Sequence, residues 1–373
     1  MTTKVRAGVV GAGPVGGLGR GTQGAVNNSH AGGYSRIEEC DLVAVADVDA
    51  ERLHQFGEQW GISPEHRYST AAQMYAEASL DVVSVTTPPI HHHHPVIEAA
   101  EGGVKVILVE KPLAMSVEWG RKMVEACNRA DSRLITGHTR RFLPPFQRIK
   151  KMIADGLIGD VRTIETSGPR PLLANATHTV DYAFNWTDAK PKLVAGFLSH
   201  EPSPGPDASV ATTFGATPLQ PPGPPLADPG GAGMIMCEGG VVILVNSVAT
   251  RRESEGETMI AGTRGRIHYV EQRGIWEHGT LVEAPGKGYG TTYAWEDIPG
   301  MPAEPDPLNY FYGASREAVS CFLEDRESVS TGLDGLKTLE VLTAIHISHK
   351  TGAMVPLPLV EGLDQYEIRS TQQ

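Results

Sequence analysis

"VRAGVVGAGPVG", residues 5–16, decides the fold. A short apolar run, Val5 to Val10, leads straight into Gly11-Ala12-Gly13-Pro14-Val15-Gly16, a complete G-x-G-x-x-G. Glycine-rich turns are common, so the six residues alone say little. Placed directly behind a strand, they are the fingerprint of a dinucleotide site. Gly11 permits the tight turn, Gly13 lets the backbone approach a pyrophosphate, and Gly16 lets helix and strand pack closely. The helix that Pro14 and Val15 begin points the positive end of its dipole at the phosphates.

Working outward, the same grammar repeats. "LVAVADVD" (42–49), "DVVSVTTP" (81–88), "VKVILVEKP" (104–112) and "RLITGH" (133–138) are further apolar runs. Being continuous and rich in β-branched residues, they suit strands buried on both faces of a parallel sheet. Between them, "DAERLHQFGEQWG" (49–61) and "SVEWGRKMVEACNRAD" (116–131) carry helical spacing, the second opened by Ser116 as N-cap. Repeated βα units predict a doubly wound Rossmann sheet with right-handed crossovers.

Asp47 ends the second strand. It arrives later than the roughly twenty residues usual after the glycines, so 17–30 reads as an insertion or an elaborated helix start. A carboxylate there accepts hydrogen bonds from ribose hydroxyls and repels a 2′-phosphate, and Val48 offers no cation. NAD is therefore expected rather than NADP.

After residue 140 the pattern changes. "PPFQRIKKMIADGLIGD" reads as a helix stopped by Gly156. "VRTIETSG", "ASVATTFG", "GMIMCEGGVVILVNSVAT" and "ETMIAGTRGRIHYV" read as strands, with hairpin turns at Glu238-Gly239-Gly240 and Thr263-Arg264-Gly265. The expectation is a second, α+β domain with a large, mostly antiparallel open sheet. Residues 1–137 would form the NAD-binding domain and 138–373 the substrate-binding and oligomerisation domain, the last helix packing back on the first. The Pro/Gly-crowded stretch 201–233 reads as a long surface loop.

Bulk properties narrow the function. The chain has 373 residues and a formal net charge of −12 without basic clusters, which argues against nucleic acid or an anionic membrane as partner. The four cysteines are far apart and read as buried thiols in a reducing compartment. No apolar run reaches a membrane span, and the N-terminus lacks a signal-peptide layout, so the cytoplasm is the expected location. The four histidines of "TPPIHHHHPV" (87–96) occupy a strand-to-helix loop. Consecutive side chains there cannot all converge on one ion, and no metal is expected. Pro95 suits the first turn of the next helix and biases His94 away from it.

Four stretches together resemble a known family: "TPPIHHHHPVIEAAEGGVKVILVEKPLA" (87–114), "GHTRRFLPPFQRIKKMIADGLIGDV" (137–161), "NATHTVDY" (175–182) and "STGLDGLKTLEVLTAIHISHKTGAMVPLP" (330–358). They resemble, in order, the glucose–fructose oxidoreductase / inositol dehydrogenase / MocA (Gfo/Idh/MocA) dehydrogenases. The resemblance implies a cofactor edge formed by Thr87, Pro88, His92 and Glu110, and a catalytic Lys111 beside the nicotinamide. A lysine there can orient a substrate hydroxyl and exchange its proton. It also implies a base at His178. Asp181, one helical turn on, shares its face and could orient it or bind substrate. Family members often carry an aspartate three or four residues before this histidine; here Asn175 and Ala174 stand there. Arg141, with Arg140 as the alternative, matches a family arginine near the cleft; His138 and His200 are further polar candidates. Pro112 is expected to follow a cis bond.

Three functions compete on this scaffold. The first is NAD-dependent oxidation of a secondary hydroxyl on a sugar, polyol or cyclitol. The second is redox-neutral glycoside cleavage through a transient keto-sugar. The third is an NAD-binding regulator. The resemblance implies a homodimer or homotetramer through the second sheet.

Overall fold

The structure is a computed structural model and describes residues 4–19, 28–199, 228–249, 256–283, 290–302 and 308–368. Two sheets organise it. The first runs β3-β2-β1-β4-β5-β6, all parallel: β1 (Val5–Val10), β2 (Cys40–Ala46), β3 (Arg67–Tyr68), β4 (Val82–Val85), β5 (Val106–Val109) and β6 (Arg133–Thr136). The two-residue β3 lies outside the expected strands; it is too short to carry a pattern.

Side chains alternate along a strand, so each of these strands feeds two cores. Val5, Ala7, Val9, Val82, Val106 and Leu108 point into one. Val10, Val83, Val85, Ile107 and Val109 point into the other. Helices cover both faces: α1 (His30–Tyr34), α2 (Ala50–Trp60), α3 (Ala71–Glu77), α4 (His93–Glu101) and α5 (Val117–Arg129). The expected Ser116 cap holds, and Asp49 caps α2. Asp49 accepts from Glu51 N and Arg52 N at 3.0 and 3.1 Å, and Ser116 Oγ accepts from Trp119 N at 3.3 Å.

After α6 (Pro144–Ala154) and α7 (Thr177–Thr187) comes the nine-stranded sheet, order β14-β13-β12-β11-β7-β10-β9-β8-β15. Its strands are β7 (Val161–Ser167), β8 (Pro191–Leu198), β9 (Gly231–Cys237), β10 (Val242–Ser247), β11 (Glu257–Gly262), β12 (Gly265–Val270), β13 (Ile275–Glu283), β14 (Thr291–Asp297) and β15 (Val355–Pro356). All neighbours pair antiparallel except β7 and β10. The turns at 238–240 and 263–264 are hairpins as expected. "ASVATTFG" and most of 201–233 lie outside the described residues. The end of that stretch is not loop: Gly231–Gly233 pair in register with β8 and β10.

One face of this sheet is buried through Ile164, Ile235, Ile243, Ile260, Ile267 and Tyr269. Phe146, Tyr182, Trp186, Tyr269 and Trp276 form an aromatic cluster beneath it, with ring centroids 4.0–6.3 Å apart. Two late helices tie the sheets together. α8 (Leu308–Leu323) adds Ala314, Ala318 and Val319 to the first core, and α9 (Gly332–Thr351) packs on α5, α7 and β8. No helix among the described residues is long and apolar enough to cross a membrane.

Candidate active site

The candidate site lies along the carboxyl edge of the parallel sheet, where β1 sits between β2 and β4 and the strand order reverses. Ligands of doubly wound sheets bind at this switch point.

The glycine turn is built for close approach. Gly11 has φ +97°, and a Cβ there would sit 2.8 Å from Thr87 N. At Gly16 a Cβ would come within 2.0 Å of Gly11 O, so turn and following helix touch through backbone. At Gly13 a Cβ would meet nothing within 4 Å, which leaves open space beside this backbone. Pro14 and Val15 begin a π-type turn (Pro14–Leu18) rather than a long α-helix. Thr87 Oγ1 and His91 Nε2, in the segment after β4, are enclosed without a hydrogen-bond partner among the described residues. An open backbone cradle, with the enclosed Thr87 hydroxyl in the residue that packs on Gly11, fits a dinucleotide.

Asp47 binds the turn itself: its Oδ2 accepts from Ala12 N at 2.7 Å and its Oδ1 from Asp49 N at 2.9 Å. Each oxygen keeps a further lone pair. Val48 beside it is 92 % exposed.

The four histidines separate. Pro89–His91 form a 3₁₀ turn and α4 begins at His93, so His94 is helical, contrary to expectation. Pro95 is tolerated because first-turn amides need no intrahelical acceptor. His92 does not face a ligand. It is fully buried, with Nε2 2.9 Å from Thr87 O and Nδ1 3.0 and 3.2 Å from Pro112 O and Leu113 O. The ring clasps the loop after β4 to the loop after β5. His93 stacks on Trp119 at 3.9 Å, and burial with its neighbouring histidines pushes its pKa down to about 4. His94 is exposed.

Glu110-Lys111-Pro112 leave the end of β5, with a cis bond before Pro112. Glu110 is held from behind by a residue that the sequence reading passed over. His30 Nε2 lies 3.0 Å from Glu110 Oε1 and its Nδ1 lies 2.9 Å from Ser84 Oγ, itself 2.8 Å from Tyr34 OH. The consistent assignment runs donors in one direction, Tyr34 to Ser84 to His30 to Glu110. Burial pushes the Glu110 carboxyl up, but the His30 contact and the Lys111 charge outweigh it, and its pKa lies below the usual value.

Lys111 reaches across to the segment that precedes α7. Its Nζ donates to Ala174 O at 2.9 Å, within the π-type turn Leu172–Ala176 that leads into α7. Asn175 Nδ2 donates to Arg170 O at 2.8 Å. Half-buried His178, second residue of α7, meets the His138 ring edge-on at 6.1 Å.

Beneath His178 lies a charged cluster. Arg141 grips Asp181 with both Nε and Nη2, at 2.8 and 2.9 Å, and donates from Nη1 to Val329 O at 2.9 Å. Asp334 Oδ2 is 3.1 Å from the same Nη1. His138 Nε2 pairs with Thr177 Oγ1 at 2.9 Å. Its Nδ1 is 3.1 Å from Asp181 Oδ1, within ion-pair range but not aligned as a hydrogen bond. Burial, outweighing Asp181, holds the His138 pKa down; Lys111 and Arg141 add to this. Arg141 and Asp181 are 4 % and 1 % exposed, so neither opens to a substrate here. Arg140 instead forms a partly buried pair with Glu271. His200 lies outside the described residues.

Residues 5–138 match the family described as "Oxidoreductase family, NAD-binding Rossmann fold". The chain is 26 % identical over 363 residues to a D-apiose dehydrogenase of Paraburkholderia graminis, covering 91 % of this chain and 88 % of that one. A 2,7-anhydro-N-acetylneuraminate hydratase of Mediterraneibacter gnavus is 35 % identical, over 31 % of this chain and 30 % of its own. The fold is shared with an oxidoreductase domain protein from Kribbella flavida (TM-score 0.76, 20 % identity, covering 96 % of this chain and 100 % of that one). Residues 5–138 thus form the NAD-binding Rossmann domain of this oxidoreductase family, and over most of its length the chain is similar to dehydrogenases acting on CH–OH groups.

Proposed function

We propose that this enzyme transfers a hydride between a secondary hydroxyl of a sugar, polyol or cyclitol and NAD, with Lys111 and His178 handling the hydroxyl proton. NAD supplies the hydride acceptor. Gly13 and the turn around it take the pyrophosphate, and Asp47 offers its remaining lone pairs to the ribose. Thr87 and Glu110 line the nicotinamide end. Lys111 holds the substrate oxygen and favours the alkoxide that forms as the proton leaves. Asn175 binds a neighbouring hydroxyl. Arg141 and Asp181 act from beneath, fixing α7 and His138. The single observation that carries this reading is the Lys111 ammonium on Ala174 O at 2.9 Å. It places a lysine from the cofactor sheet on the segment that bears Asn175 and His178.

NAD is proposed over NADP because a 2′-phosphate would meet the Asp47 carboxylate with only Val48 beside it. A dimer or tetramer through the open face of the second sheet is supported by Phe197, Met236 and Leu244, exposed on neighbouring strands.

One observation supports a second reading, redox-neutral elimination through a keto-sugar. No carboxylate stands at 174 or 175, and Asp181 is committed to Arg141. The test is a panel of sugars, cyclitols and glycosides, followed for both NADH absorbance and released product. Net NADH supports the first reading. Product release with copurified, non-exchanging NAD and no NADH supports the second, and silence on both counts refutes both.

A further inference from the structure

The turn that receives Lys111 is itself held by a pair outside the machinery described above. Asp228, 4 % exposed, accepts from Leu172 N at 3.1 Å through Oδ1 and from Leu173 N at 2.8 Å through Oδ2. His346, on α9 and 1 % exposed, lies with Nε2 3.2 Å from Asp228 Oδ1 and Nδ1 2.8 Å from Leu342 O. A carbonyl can only accept, so the His346 ring donates from Nδ1 to Leu342 O, while Nε2 faces the Asp228 carboxyl. Buried pairs of this kind cost much desolvation and add little net stability; fixing one geometry is their best-attested use. Here the geometry fixed is that of Leu172–Ala176, whose carbonyl at Ala174 meets Lys111. The helix that carries His346 also carries Asp334, which faces Arg141. One helix thus braces the site from two sides.

We propose that Asp228 and His346 are positioning residues for Lys111: they hold the Leu172–Ala176 turn so that Ala174 O meets the ammonium. The importance of this for turnover rests on the function proposed above, but the positioning can be read without turnover. The full chain and its Asp228→Asn, His346→Gln and His346→Leu variants are acetylated with acetic anhydride across a pH series. Modification of Lys111 is followed by peptide mass spectrometry. An acceptor on the ammonium favours its charged form. Losing Ala174 O therefore lowers the pH midpoint for labelling, by about half a unit or more, in Asp228→Asn and His346→Leu. His346→Gln keeps a donor for Asp228 and stays near wild type.

A wild-type Lys111 midpoint in folded, NAD-binding Asp228→Asn and His346→Leu overturns the proposal. So does loss of folding in all three variants, because positioning leaves the fold intact. If only Asp228→Asn fails to fold, the His346→Leu and His346→Gln comparison decides. A shifted midpoint with undiminished sugar or polyol turnover upholds the positioning and counts instead against Lys111 as the proton-handling residue.

Discussion

Replacing Gly13 by alanine separates the cofactor's demand on the glycine turn from the fold's. Gly13 has φ −65° and ψ −172°, an extended conformation that alanine adopts freely, and an added Cβ meets no atom within 4 Å. The cofactor-free protein should be unharmed. It gains up to about 0.4–1 kcal/mol, because alanine narrows the unfolded ensemble. The open space beside Gly13 is where the pyrophosphate is proposed to come. A methyl there displaces it and loses at least one hydrogen bond to a charged oxygen, about 1.5–3 kcal/mol. At about 1.4 kcal/mol per tenfold, NAD binds about 10- to 150-fold more weakly. Gly16→Ala behaves oppositely, since its Cβ would lie 2.0 Å from Gly11 O and the turn itself must move. Thermal unfolding without cofactor and NAD titration by intrinsic fluorescence measure the two effects. Wild-type NAD affinity in a folded Gly13→Ala protein would refute the placement of the pyrophosphate.

Two further substitutions probe the buried polar groups. Arg141→Met leaves Asp181 buried without its main partner and should cost about 3–5 kcal/mol in urea unfolding; a loss below about 1 kcal/mol contradicts the account of that pair. His30→Ala removes the contact that offsets burial at Glu110. In the wild type the Glu110 pKa is depressed, so its stabilisation is present above the unfolded value and is lost as pH falls through the folded one. Without His30 the largest lowering influence is gone, and the folded pKa rises. The acid unfolding midpoint, followed by tryptophan fluorescence, should then move to higher pH; an unchanged midpoint excludes the His30–Glu110 interaction.

What the chain spells out locally was legible. Strand β1 and its glycine turn are contiguous, as are the N-cap at Ser116 and the hairpin at 238–240, so their physics is written in neighbouring residues. The site's second layer is not contiguous. H-x-x-D spacing puts His178 and Asp181 on one helix, but nothing local tells that Arg141, 40 positions earlier, takes both Asp181 oxygens. His92 has the spacing of a cofactor contact, yet burial turns its ring onto backbone carbonyls. His30 was hidden because the stretch before it reads as an insertion. The one available signal was a histidine at the start of a helix whose next turn carries Tyr34. Strands β8, β13, β14 and β15 lie outside the expected strands; β15 is two residues long, and Ala195-Gly196 interrupt the apolar run of β8.

The most direct test of the central claim is a rapid-mixing measurement of hydride transfer with a polyol or sugar that turns over. Wild type is compared with Lys111→Met and His178→Asn, and NAD affinity is measured in parallel. The account predicts NAD affinity within about threefold of wild type for both variants, and a hydride-transfer rate reduced by about 10²-fold or more, the usual share of a positioned proton acceptor. Unchanged hydride transfer in both variants, with NAD still bound, would contradict it.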